Sequence, residues 1–217
     1  LSNWLVVAKP GDYQRILLYF SGHGVRDAKD RLYFAPPDCS RQHLELTGLP
    51  QSYVKQQLDG CVNVPVKLLV LDCCHSGEGR GDGVGESGSE LATEFRTAKG
   101  LLTLASCADD QVSLEWDDKQ QGLFTYWLCQ GLRGGDQGEV DRDRDGVIDA
   151  YELHRYLLGR VAETAATMTR QQTVKLIPSE NWQGLAALAR LARRGEMVPV
   201  PRKVTARFTV RANDDQG

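Results

Sequence analysis

Leu68-Leu69-Val70-Leu71-Asp72-Cys73-Cys74-His75-Ser76-Gly77 is an apolar run that ends abruptly in an acid, two thiols, an imidazole, a hydroxyl and a glycine. A short continuous apolar run reads as a strand buried on both faces. Such a strand carries its polar end to the carboxyl edge of a sheet, where open α/β sheets bind ligands. Ile16-Leu17-Leu18-Tyr19-Phe20-Ser21-Gly22-His23-Gly24 has the same grammar and delivers an imidazole. A thiol and an imidazole on two strand ends of one sheet form a nucleophile pair. A thiol of ordinary pKa, about 8.5, is mostly protonated at neutral pH. A nearby imidazole takes that proton and later returns it to a leaving amine. Backbone N–H groups of Gly24 and Cys74, each expected in a turn past a strand end, are suited to hold the oxyanion. The competing reading is structural, because buried cysteines are usually small core residues. Two strand-end motifs with flanking serine and glycine favour chemistry.

Outward from these runs, residues 15–20, 66–71 and 101–105 read as central strands, with 31–35 and 174–177 as further strands. Residues 47–58, 89–98, 124–132, 150–161 and 182–194 read as helices, and Trp4 to Ala8 as a helix end. Ser21 to Gly24 is expected to turn out of its strand. Strands alternating with helices predict an α/β domain with a mostly parallel sheet. Residues 77–88 hold six glycines among charged residues and read as a flexible, solvated loop. A linker at Val198 to Pro201 and a strand at 204–210 suggest a second segment, so the domain is expected over 1–195 and the remainder, 196–217, apart from it.

The 217 residues carry a net charge of -3, which points away from nucleic acid and anionic membrane surfaces. No apolar run approaches the roughly 20 residues of a membrane span. None of the six cysteines forms a CxxC or a zinc spacing, so a reduced, cytoplasmic setting is expected.

Tyr19-Phe20-Ser21-Gly22-His23-Gly24 and Leu71-Asp72-Cys73-Cys74-His75-Ser76-Gly77 closely resemble the two catalytic signatures of caspase-like cysteine peptidases, nearest the metacaspase and orthocaspase branches. The resemblance covers about residues 12 to 175. It implies the caspase-hemoglobinase fold, a three-layer sandwich, and a His/Cys dyad. His23 matches the general base and acid, and Cys74 rather than Cys73 falls on the nucleophile. Asp72 falls on an acid that lines the primary specificity pocket of metacaspases, which cleave after Arg or Lys. Leu104-Ala105-Ser106-Cys107, followed by Gln111, resembles the next such segment, where pocket walls also arise. Ser21, Ser106, Asp110 and Glu115 are further pocket candidates. The family's domains begin with a strand, a helix and a second strand upstream of these motifs, so an upstream segment or partner chain is expected to complete the sheet. With basic specificity, Arg80, Arg96 and Lys99 become self-processing sites.

Asp141-Arg142-Asp143-Arg144-Asp145-Gly146-Val147-Ile148-Asp149-Ala150-Tyr151-Glu152 matches the twelve-residue EF-hand loop. Acids at its first, third, fifth and ninth positions, glycine at the sixth and glutamate at the twelfth suit a hard cation with oxygen ligands. The calcium ligand set is Asp141, Asp143, Asp145, the Val147 carbonyl, Asp149 and Glu152. The loop stands alone although EF-hands usually pair, so a structural or weakly regulatory calcium site is expected. Asp30 and Asp38 are thin remnants of a separate calcium site that the resemblance implies.

The expected function is a cysteine endopeptidase acting on proteins or peptides, cleaving after Arg or Lys. The alternatives are a catalytically silent caspase-like signalling or assembly module stabilised by calcium, and a calcium-binding scaffold alone.

Overall fold

The computed structural model describes residues 15–36, 38–62, 64, 66–73, 88–108, 111–180, 182 and 187–190. In chain order these form β1 (Arg15–Arg26), β2 (Leu32–Ala35), α1 (Leu44–Thr47), β3 (Leu49–Pro50), α2 (Gln51–Gly60), β4 (Val66–Cys73), α3 (Gly88–Thr93), β5 (Leu101–Ala105), β6 (Glu115–Trp116), β7 (Gln121–Gly122), α4 (Leu123–Leu132), β8 (Val147–Asp149), α5 (Ala150–Thr167), β9 (Lys175–Pro178) and β10 (Ala187–Arg190).

Six strands make one mixed sheet in the order β3-β2-β1-β4-β5-β9. The three central strands run parallel, β4 between β1 and β5. The flanking strands β2, β3 and β9 pair antiparallel. β4 is buried from Lys67 to Cys73, which is why its sequence shows no alternation. Successive side chains nevertheless go to opposite faces. Leu68 and Val70, with Leu102 and Leu104, pack against Leu123, Phe124 and Leu128 of α4 and Leu153, Leu157 and Val161 of α5. Leu69, Leu71 and Cys73 pack on the other face against Val54 and Leu58 of α2, Leu91 of α3, and Phe95. Helices on both faces give the three layers expected.

Several elements differ from the sequence reading. β1 does not turn out at Ser21; it runs on to Arg26. It leaves β4 after the Gly22–Cys73 pair and takes up β2 from His23 onward. Nor is β1 buried on both faces: Arg15, Leu17, Tyr19, Ser21 and His23 alternate as exposed positions, with Leu17 51% accessible. The expected helix over 47–58 is broken into α1 and α2, because Pro50 at the N-cap of α2 has no N–H to continue α1. In place of a helix over 182–194, residues 187–190 form a strand that pairs with β8. The expected elements at Trp4–Ala8 and 204–210, and most of the glycine-rich loop, lie outside the described residues.

At the amino edge of the sheet Lys67 is buried, and its ammonium donates to the carbonyls of Leu58 (2.8 Å) and Lys99 (3.0 Å). The Leu58 carbonyl, near the end of α2, also accepts the Cys61 N–H at 3.2 Å. Asp59, on the same helix, accepts from Lys55 Nζ at 2.6 Å and from the Lys99 N–H at 2.7 Å. Burial alone would raise the Asp59 carboxyl, but the Lys55 ammonium and the Lys99 N–H outweigh it and hold the pKa below its ordinary 3.8. A depressed carboxyl contributes stability that is present above the unfolded value and lost as pH falls through the folded one. The melting temperature of wild type is therefore expected to fall more steeply below about pH 4 than that of Asp59→Asn, measured as a pH series of thermal melts. Equal slopes would contradict the assignment.

Candidate active site

The parallel register of β1 on β4 pairs Tyr19 with Val70, Ser21 with Asp72 and Gly22 with Cys73. Residues paired in this way share a face, so Tyr19, Ser21 and His23 lie with Val70 and Asp72, on the α4–α5 side. This gathers His23, Ser21 and Asp72 at the carboxyl edge. Cys73 goes to the opposite face, fully buried among Leu69, Leu71 and Leu91. That burial makes Cys73 a core residue. Cys74, His75 and Asp110 lie outside the described residues. His23 is exposed on β1 opposite Ala35.

Gly24 has a packing reason to be glycine. A Cβ there would lie 2.6 Å from Leu91 Cδ2, in the α3 layer. Its missing side chain thus admits a leucine of the core rather than a substrate. Gly22 has φ +154°, and a Cβ would meet the Phe20 ring at 2.9 Å.

Asp72 is only 6% exposed, and its carboxylate is held by hydroxyls. Ser113 Oγ donates to Oδ1 at 2.7 Å. Thr125 Oγ1 donates to Oδ2 at 2.5 Å, and Tyr19 OH approaches Oδ2 at 3.4 Å. Tyr19 OH and Thr125 Oγ1 are 2.8 Å apart. Burial, followed by opposing contributions that include the adjacent Asp72 charge, holds the Tyr19 phenol above its ordinary 10.0. Among the described residues no cation pairs with Asp72. Burying a carboxylate against neutral donors alone is costly.

The residues that surround Asp72 come from separate elements. Thr125 stands on the first turn of α4. The short β6–β7 hairpin brings Gly122 against Asp72. Trp116 of β6 packs on Tyr126 (ring centroids 5.0 Å apart) and on Trp127 (6.0 Å), anchoring the hairpin to α4. Gln172 Nε2 donates to Ser113 Oγ (3.2 Å) and to the Ser106 carbonyl (3.0 Å), and its Oε1 accepts the Leu114 N–H (2.9 Å). Ser106 is fully buried, and its Oγ has no partner among the described residues. Its own N–H donates to the Leu71 carbonyl at 2.9 Å. Of the pocket candidates, Ser21 pairs with Asp72 in the sheet, and Ser106 directly follows β5, bonded to Leu71 of β4. Glu115 is exposed on β6. Tyr19, Ser113, Gly122, Thr125 and Gln172 escaped the sequence reading. Only Tyr19 carried a signal, its place two residues before Ser21 and four before His23.

In the acidic loop, ligand oxygens of Asp141, Asp143 and Asp145 lie within 4.8 Å of one another. Glu152 turns back on the loop, accepting from the N–H of Arg142 (2.7 Å) and of Asp149 (3.2 Å). Asp149 is otherwise engaged: it N-caps α5, accepting from the N–H groups of Tyr151 and Glu152 in a capping box. Asp30 pairs with Arg26 and Asp38 is exposed, and neither joins an acidic cluster among the described residues. Arg96 and Lys99 do not lie in an open loop. Their backbone groups are tied to Glu180, Asp59 and Lys67.

A family model described as the caspase domain matches residues 2–182. Among curated proteins, none matches the sequence. Among solved structures, a Geobacter sulfurreducens protein is similar at 17% identity and a TM-score of 0.47, over 82% of this chain and 72% of its own. Caspase-1 from Spodoptera frugiperda is similar at 14% identity and a TM-score of 0.38, over 83% of this chain and 63% of its own. The family match carries the assignment.

The Gly24–Leu91 contact gives a direct test of this packing. Gly24→Ala is expected to destabilise the chain by about 1–3 kcal/mol through overpacking. Leu91→Ala in the same chain should then cost less than the sum of the two single changes, read by denaturant unfolding as a double-mutant cycle. Strict additivity would show that the two residues do not press on one another.

Proposed function

The chain belongs to the caspase-domain family, and on that premise we propose that it is a cysteine endopeptidase that cleaves after Arg or Lys. Cys74 is the nucleophile and His23 its general base and acid. Support for Cys74 comes from exclusion, since Cys73 is sealed in the core on the face away from His23 and Asp72. The single observation that carries the specificity is Asp72, a buried carboxylate at the carboxyl edge with hydroxyl partners and no cation among the described residues. A guanidinium or ammonium from the substrate supplies the missing charge.

His23 takes the Cys74 proton, and the thiolate attacks the carbonyl carbon of the peptide bond. Backbone N–H groups of Gly24 and Cys74 hold the oxyanion. The tetrahedral intermediate collapses to a thioester as His23 returns the proton to the leaving amine. Water, deprotonated by His23, then releases the acid and restores the thiol.

A calcium ion in the acidic loop is the second part of this reading. The donor set fits, since it consists of hard oxygens, three of them gathered, with Gly146 at φ +81° making the sharp turn. Asp141, Asp143, Asp145, the Val147 carbonyl and Glu152 would hold it, with Asp149 acting from its cap position. The ion would supply charge neutralisation among these carboxylates, which otherwise repel. β8, which follows the loop's glycine, pairs antiparallel with β10.

Fluorogenic peptides ending in Arg or Lys are expected to be hydrolysed by wild type. Cys74→Ala and His23→Ala should lose at least about a thousandfold in kcat/KM, and Cys73→Ala should keep most of it if folded. Preference for Asp-ended peptides would contradict the pocket, and turnover by Cys74→Ala would contradict the nucleophile. Calcium is expected to raise the melting temperature of wild type but not of Asp141→Asn/Glu152→Gln, read by thermal melts with calcium and with chelator. An equal rise in both would contradict the site.

A further inference from the structure

The Asp72 carboxylate is constrained beyond what its burial demands. Each oxygen accepts one short hydroxyl bond, Oδ1 from Ser113 and Oδ2 from Thr125, and Tyr19 OH makes a longer 3.4 Å contact to Oδ2. Each hydroxyl is steered by a second group: Gln172 Nε2 donates to Ser113 Oγ, and Tyr19 OH lies 2.8 Å from Thr125 Oγ1. With Thr125 donating to Asp72, its oxygen is free to accept from Tyr19. The plane of the carboxylate is thereby fixed from both sides. A carboxylate offers about four lone-pair sites, and one strong bond to each oxygen leaves one on each for a ligand.

Gly122 adds an independent observation. Its φ of −57° is open to any residue, so the backbone does not require glycine. A Cβ would lie 3.0 Å from Asp72 Oδ2 and 3.9 Å from Thr125 Oγ1. The absent side chain keeps that space beside Oδ2 clear.

We infer that Thr125 and Gly122 are specificity-determining residues that select arginine over lysine: Thr125 locks the Asp72 carboxylate in the plane a guanidinium fork needs, and Gly122 leaves the fork room. The inference rests on the assignment of Asp72 to a basic-residue pocket. A guanidinium gains two parallel N–H···O bonds only if the plane of the carboxylate is aligned with the plane of the fork. An ammonium is a compact point charge and is indifferent to that plane. Removing the Thr125 hydroxyl leaves the charge in place and loosens only the plane.

The test is kcat/KM of the full chain on matched peptides ending in Arg and in Lys, for wild type, Thr125→Val, Thr125→Ser and Gly122→Ala. Wild type is expected to favour Arg by about tenfold or more. Thr125→Val should bring the Arg/Lys ratio down to within about threefold of unity, chiefly by losing Arg turnover. Thr125→Ser, which keeps the hydroxyl, should restore it. Gly122→Ala should raise KM for Arg peptides more than it changes kcat. The inference is overturned if Thr125→Val slows both peptides equally or if Thr125→Ser fails to rescue the ratio; the basic pocket survives either result. Binding of Nα-acetyl-arginine methylamide and its lysine counterpart, followed by ligand-observed NMR on the same proteins, gives the ratio independently of turnover. Cleavage only after other residues, with no arginine-amide binding by wild type, overturns the pocket reading and this inference together.

Discussion

The parallel register of β1 on β4 is the constraint on which the site depends. Pairing Ser21 with Asp72 puts Tyr19, Ser21 and His23 on the face of Asp72 and puts Cys73 on the other. A slip of one residue would send that whole set to the opposite layer, because side chains alternate with period two. The two core clusters resist such a slip. Leu68 and Val70 are committed to α4 and α5, and Leu69 and Leu71 to α2 and α3. The register therefore follows from ordinary apolar packing on two sides, and the polar residues at the strand ends are carried into place by it.

Asp72 connects that packing to the proposed specificity. A carboxylate at 6% exposure needs donors, and they come from three places distant in the chain: β1, the segment after β5, and the first turn of α4. Gln172 extends the network to the approach to β9, and the N–H of Thr173 reaches back to Gln111 Oε1 at 2.6 Å. The described residues after β5, up to β6, are held by polar anchors. The same bonds that offset the burial of the acid thus give the pocket its shape.

The sequence made β4, β5 and α4 legible because each has one dominant periodicity and clear ends. Asp72 and His23 were legible as polar residues terminating apolar runs. Ser113, Gly122 and Thr125 were not, because they meet Asp72 through long-range contacts that leave no local pattern. The course of β1 past Ser21 was misread for a related reason: Ser-Gly-His-Gly suggests a turn, whereas its pairing with β2 keeps it extended. Ala187 to Arg190 sits in an alanine- and leucine-rich stretch of high helix propensity, yet tertiary pairing with β8 makes it a strand.

The central claim is that one thiol, Cys74, meets substrates selected by Asp72. Covalent labelling with an arginine-ended acyloxymethyl ketone, mapped by mass spectrometry of the digested protein, tests it most directly. The account predicts a single adduct on Cys74, formed far more slowly in Asp72→Asn and by the aspartate-ended reagent. An adduct on Cys73 or Cys107, or equal labelling by the two reagents, would contradict it.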